Sequence, residues 1–192
     1  THGALAANAL ALHAAWGFTP SDVLLHALPI FHVHGLFVAL HCAFLSGCPM
    51  VWLNRFGEAT VLEGLASSTV MMPTFYTRLL AHPGLTRDSV AHMRLFISGS
   101  APLLESAFAE FEARTGHRIL ERYGMSEAVI ITTNPLDGDR VPGSVGYPLP
   151  GVDLRIGGGE ATGVIEIRGP SVFSGYWRMP DKTREEFTSD GY

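Results

Sequence analysis

An α/β fold built on a doubly wound, largely parallel sheet is predicted by three features of the 192-residue sequence. Short apolar strand candidates alternate with helical segments, the alternation holds to about residue 134, and Gly or Pro marks most junctions. The composition agrees, because 47% hydrophobic and 16% charged residues supply a core that a disordered chain lacks. With 18 acidic against 13 basic residues the net charge is −5, which argues against nucleic acid as the main partner. The only cysteines, Cys42 and Cys48, lie in apolar surroundings and read as reduced core thiols rather than a disulfide framework. Thr1–Asn8 carries no basic stretch followed by an apolar one, so no signal peptide is expected. The longest apolar stretch, Gly35–Leu53, is broken by His41 and Ser46-Gly47-Cys48-Pro49, too often to span a bilayer. These features predict a soluble, cytoplasmic protein.

Element by element, Ala4–Trp16 is rich in Ala and Leu and reads as helix. Val23–Leu28 is a buried strand stopped by Pro29. Gly35–Leu45 is a helix ending at Gly47, and Met50–Leu53 a strand. Glu58–Ala66 and Phe75–His82 are short helices flanking the strand Thr69–Met72. Arg94–Ser98 is a strand running into Gly99, followed by a helix with Pro102 in its first turn, Leu104, Phe108 and Phe111 on its apolar face, and Gly116 at its end. Ile119-Leu120 is a short strand, and Val129–Thr132 a further element. From Asp137 onward Pro-Gly and Gly-rich turns separate the alternating segments Val152–Ile156 and Val164–Arg168, which predicts antiparallel β-structure. The expected division is an α/β unit at 1–136 and the start of a β-rich unit at 137–192.

In a doubly wound sheet ligands collect outside the carboxyl ends of the strands. Three polar segments follow predicted strands there: Pro29–Gly35, Ser98–Pro102 and Glu121–Glu127. Ser98-Gly99-Ser100-Ala101-Pro102 offers free backbone N–H groups before a helix, either a cradle for phosphate or carboxylate or an ordinary strand-to-helix turn. Tyr123-Gly124-Met125-Ser126-Glu127 sets an aromatic face beside hydroxyl and carboxylate oxygens, suited to a base and a magnesium ion, or simply to a capped loop. His32 and His34 lack a third metal donor at ligand spacing, which favours one imidazole facing a ligand and the other packing locally. Arg78, on a helix with Phe75, Leu79 and Leu80, is either a snorkelling surface residue or a bidentate carboxylate clamp.

The ordered series Leu-Pro-Ile-Phe-His-Val-His-Gly (28–35), Pro-Thr-Phe-Tyr-Thr-Arg (73–78), Ile-Ser-Gly-Ser-Ala-Pro-Leu (97–103), Glu-Arg-Tyr-Gly-Met-Ser-Glu (121–127) and Ile-Arg-Gly-Pro-Ser-Val-Phe-Ser-Gly-Tyr-Trp (167–177) resembles the acyl-adenylate-forming superfamily. Within it the chain is most similar to malonyl-CoA and methylmalonyl-CoA synthetases. The resemblance implies a ligase using ATP, Mg2+ and coenzyme A with a small dicarboxylate such as malonate or methylmalonate. It implies that Gly99, Ser100, Ala101, Glu121, Tyr123, Gly124 and Ser126 line the nucleotide, with Tyr123 on adenine. Ser126 and Glu127 would serve phosphate and magnesium, His32 would close over the reacting carboxylate, and Arg78 with His34 and Ser100 would clamp the second carboxylate, whose unpaired burial is very costly.

Against the family pattern, a phosphate loop before Thr1 and a ribose-binding Thr-Gly-Asp and catalytic lysine after Tyr192 are missing, so the sequence reads as a central piece that is inactive alone. A Gly-Val step is also expected between Met72 and Pro73, and a longer hairpin around Gly157–Gly159. Two alternatives stand beside the dicarboxylate ligase. One is a fatty- or aryl-acid ligase with Phe37, Phe75 and Phe96 lining an apolar tunnel and Arg78 in solvent. The other is a non-catalytic folding or nucleotide-binding unit.

Overall fold

The computed structural model describes residues 1–72, 75–159 and 161–192. The first helix, α1 (His2–Trp16), starts where the Thr1 hydroxyl accepts the Ala4 N–H at 3.2 Å and stops at Gly17 in the left-handed region. Strand β1 (Leu24–His26) follows, then a π-helix (His34–Ala39) continuing into α2 (Leu40–Ser46), which Gly47 ends at φ 70°. Next come β2 (Met50–Trp52), α3 (Glu58–Leu65), β3 (Val70–Met71), α4 (Tyr76–Leu80), β4 (Leu95–Ser98) and α5 (Glu105–Thr115). Strands β5 (Leu120–Met125), β6 (Val129–Thr133) and β7 (Tyr147–Pro148) complete one seven-stranded sheet of order β2-β1-β3-β4-β5-β6-β7. Pairing is parallel from β2 to β5 and antiparallel from β5 to β7. A separate antiparallel hairpin pairs β8 (Asp153–Ile156) with β9 (Ile165–Arg168), and α6 (Pro180–Glu186) lies near the end.

Alternation along the strands makes the sheet doubly wound, because successive side chains point to opposite faces. Leu24, Val70 and Ile97 face the layer holding Leu12 and Trp16 of α1 and Cys42 of α2. Their neighbours Leu25, Met71 and Phe96 face the opposite layer, with Leu65 of α3, Leu79 of α4 and Phe111 of α5. Long-range polar ties secure α1 on β6: the Asn8 carboxamide donates to the Ile130 carbonyl at 2.7 Å and accepts its N–H, while Trp16 Nε1 donates to Thr133 Oγ1 at 3.0 Å. The β8–β9 hairpin is joined to β6 by a small cluster of Ala128, Ile131 and Ile167.

Three local expectations change. Glu121–Met125 is a strand rather than a loop, because it pairs on both sides, with β4 at Ser98↔Glu121 and with β6 at Arg122↔Thr133. Pro102 precedes the helix, which starts at Glu105, and Leu104 is its exposed N-cap, so the buried face is carried by Ala107, Phe108 and Phe111. The Gly35–Leu45 helix begins as a π-helix. The seam expected at Met72–Pro73 lies outside the described residues, and Gly157–Gly159 forms a short 3-10 turn between β8 and β9. Among the described residues no helix is long and apolar enough to cross a membrane.

Candidate active site

The carboxyl ends of β4 and β5 and the start of the π-helix converge on two adjoining cavities. The first, 390 Å³, is lined by Ser98–Leu103, Glu121–Gly124, Gly143 and Val145. The second, 330 Å³, is lined by His32, Val33, His34, Val38, Ser100, Arg122, Gly124–Glu127, Val129 and Ile130. Ser100, Arg122 and Gly124 belong to both walls.

Arg122 is the pivot. It is 5% exposed, and its Nε and Nη2 are buried without a hydrogen-bond partner. Burial pulls its pKa down to about 10, so the guanidinium stays charged at neutral pH. Glycine at 99 makes room for this packing: a Cβ there would sit 2.3 Å from Arg122 Cζ, and the guanidinium would have to shift. Beside it Ser100 holds the left-handed conformation, φ 71°, with its Oγ 3.1 Å from His34 Nδ1. His34 is buried, and its Nε2 has no partner. Burial first, and the Arg122 charge second, keep its pKa well below the ordinary histidine value, so the ring is neutral. The exposed His32 ring accepts the His34 N–H on its Nδ1 at 3.1 Å and so orders the start of the π-helix.

On the other wall, Glu121 accepts the Gly143 N–H at 2.9 Å, and burial raises its pKa. Gly124 has no room for a side chain, because a Cβ would lie 1.9 Å from the Val129 carbonyl oxygen across the hairpin. Ser126 and Glu127 form the hairpin turn. Glu127 Oε1 accepts the Tyr176 hydroxyl at 3.0 Å, and its carbonyl accepts the Phe173 N–H at 2.7 Å. No group of three or more His, Cys, Asp or Glu able to hold a metal exists among the described residues. Glu127 therefore suits magnesium only as a single carboxylate completed by a nucleotide's phosphates and water, a usual magnesium arrangement.

Of the residues expected from sequence, Gly99, Ser100, Ala101, Glu121, Tyr123 and Gly124 line the first cavity, and His32, His34, Ser126 and Glu127 the second. Arg78 lies elsewhere: its guanidinium pairs with Glu58 Oε1 at 2.7 Å, rests 4.5 Å over the Phe56 ring and lines a separate cleft with Trp52–Glu58 and Thr60. Phe37, Phe75 and Phe96 line neither rim cavity; Phe96 is fully buried against Phe111 and His117. Sequence reasoning missed Arg122. Its signal was available: an arginine two residues past the buried pair Ile119-Leu120, at the carboxyl end of an expected strand.

Fold and rim together define a doubly wound α/β protein with a crevice at the carboxyl edge of its sheet, walled by a buried guanidinium. The chain belongs to the AMP-binding enzyme family, whose pattern it matches over residues 1–177. It is 38% identical to the mitochondrial malonate–CoA ligase of Mus musculus, over all of this chain and 40% of that protein. Among solved structures, ATP-bound MatB from Rhodopseudomonas palustris superposes with a TM-score of 0.96 at 53% identity, covering 100% of this chain and 40% of that one. A malonyl-CoA ligase ternary product complex with methylmalonyl-CoA and AMP bound gives 0.90 at 40% identity, covering 98% and 43%. The chain thus spans about two fifths of the length of these relatives.

Proposed function

We propose that the protein carrying this sequence is an AMP-forming carboxylate–CoA ligase whose acyl substrate is a short dicarboxylate, malonate or methylmalonate. The observation that carries the substrate class is Arg122, a buried cation without a partner between two cavities. Such a charge is expensive until an anion reaches it. The names of the relatives agree, since they act on malonate or hold methylmalonyl-CoA.

In this assignment one carboxylate of the substrate is held by Arg122 and by the free Nε2 of the neutral His34, which donates once Ser100 Oγ donates to Nδ1. The other carboxylate attacks the α-phosphorus of ATP and pyrophosphate leaves. The thiol of coenzyme A then attacks the acyl carbonyl, and AMP leaves. Gly99, Ser100 and Ala101 flank the nucleotide, Tyr123 stacks on its base, and Glu121 borders it. His32 covers the reacting carboxylate and Ser126 meets phosphate. Glu127 holds magnesium, which when bound neutralises phosphate charge. Arg78 is a second cation for the clamp, reaching it only by leaving Glu58. We place the enzyme in the cytoplasm, and cell fractionation checks this against the mitochondrial location of the mouse relative.

Pyrophosphate release measured with malonate, methylmalonate, acetate, octanoate and benzoate tests the assignment. Malonate or methylmalonate is expected to lead; a lead by octanoate or benzoate would sink the dicarboxylate reading. Arg78→Ala beside Arg122→Met separates the two cations, with the larger loss expected from Arg122.

A further inference from the structure

We infer that His26 is a positioning residue that sets His34, and through it the carboxylate end of the site, by holding the Gly35 carbonyl. His26 ends β1, is 1% exposed and lines neither rim cavity. Its ring stacks on Trp52 of the neighbouring strand, with centroids 4.4 Å apart and planes 10° apart. That stack fixes the ring's orientation and aims Nε2 at the Gly35 carbonyl oxygen, 3.1 Å away. A carbonyl has no proton to give, so Nε2 carries the hydrogen and donates it. Nδ1 is buried and without a partner. This arrangement suits a donor dedicated to one carbonyl.

Gly35 has little freedom of its own. A Cβ there would lie 2.4 Å from the Pro29 carbonyl oxygen, so the backbone passes through a gap only glycine fits. Its peptide follows His34 directly, at the start of the π-helix, a local distortion often found at functional sites. Three side-chain contacts thus fix the turn that presents His34: the His32 ring on the His34 N–H, Ser100 Oγ on His34 Nδ1, and His26 on the Gly35 carbonyl. Only the last comes from the rigid parallel sheet. Losing it loosens the His34–Gly35 turn against the sheet and lets the His34 ring shift with it, whereas the nucleotide wall is built from β4 and β5, neither of which pairs with β1.

The inference rests on the reading that a substrate carboxylate lies against His34, and it predicts a selective defect. His26→Phe keeps a flat ring over Trp52 but removes the donor. His26→Asn keeps an amide too short to reach Gly35. His26→Gln places an amide N–H where Nε2 stood. In steady-state assays of the protein carrying this sequence, Phe and Asn are expected to raise KM for the carboxylate about tenfold, the worth of one buried hydrogen bond, with KM for ATP unchanged. Gln is expected to restore the carboxylate KM to within about twofold. The acid varied is whichever one the wild-type protein adenylates, so failure of the malonate assignment leaves this test standing. Equal rises in both KM values, no rise in any variant, or a Gln variant as poor as Phe would overturn the inference. Insolubility of all three would also overturn it, by making His26 a folding residue; if only Phe fails to fold, the Asn and Gln pair gives the same comparison.

Discussion

The sheet rim and the β8–β9 hairpin treat charge in opposite ways. At the rim a buried guanidinium, Arg122, has two nitrogens without partners, and the neutral His34 has a third. At the hairpin every guanidinium is answered. Arg155 pairs with Asp190 and Glu166 at 2.6 Å each, Arg168 pairs with Asp153 at 2.7 Å, and the Tyr192 ring lies between the two arginines, 3.8 and 4.5 Å from them. Those pairs stand in or near solvent, where satisfying a charge is easy and contributes little. The rim's charges are withdrawn from water, where leaving them unsatisfied is costly. In the proposed assignment the substrate's carboxylate returns the stability that the rim gives up, whereas the hairpin, which pairs its charges in the open, holds its shape.

The contrast breaks most sharply at Arg122. Replacement by Met is expected to raise stability by about 1–3 kcal/mol in urea unfolding, as removal of a buried charge does, while lowering kcat/KM for malonate about 100-fold or more. A destabilised variant with full activity would reverse the assignment of cost and function.

His34 supplies the pH dependence. Its folded pKa lies below the ordinary 6.5, so the unfolded chain takes up the proton first as pH falls. The His34 contribution is complete above 6.5 and is lost progressively below it. His34→Gln should flatten the pH dependence of unfolding between pH 6.5 and 5 by at most about 1.4 kcal/mol per pH unit, whereas Asp190→Asn should leave that slope unchanged.

Ser100 sharpens the comparison at smaller scale. Both Ser100→Ala and Ser100→Gly remove the hydroxyl near His34 and should raise the carboxylate KM alike. Only glycine relieves the left-handed backbone, so it should be about 1 kcal/mol more stable than the alanine variant. The smallest effect belongs to the hairpin: Asp190→Asn should shift the unfolding midpoint less than any substitution above, and the shift should vanish in 1 M salt as screening removes it. A large, salt-insensitive loss would mean that these pairs are not simply solvated.

Much of this was legible along the chain. Helix α1 and the caps at Gly47 and Gly116 follow from local propensity and glycine's access to positive φ, and β1 to β4 follow from apolar runs between turn residues. Gly99, Ser100, Tyr123 and Glu127 could be picked out because small, aromatic and acidic residues cluster after predicted strands. The start of β5 was legible in Ile119-Leu120, but its extension was hidden, because Glu121-Arg122-Tyr123-Gly124-Met125 has the composition of a loop and becomes a strand only through partners at Ser98 and Thr133. Where Arg78 sits was not legible, because a lone arginine on an apolar helix carries no sign of which neighbour it will meet, and in the structure that neighbour is Glu58, twenty residues upstream.

By itself, then, the sequence determined the element order through α5, the family and the chemical types gathered at the strand ends, since periodicity, capping and motif order are properties of neighbours along the chain. Tertiary structure alone decided which cation is buried and unpaired, that His26 grips the Gly35 carbonyl, and that Tyr176 reaches back to Glu127. Burial and hydrogen-bond partners are set by residues far apart in sequence, and the free energy of a charge or a donor depends on those partners rather than on its residue type.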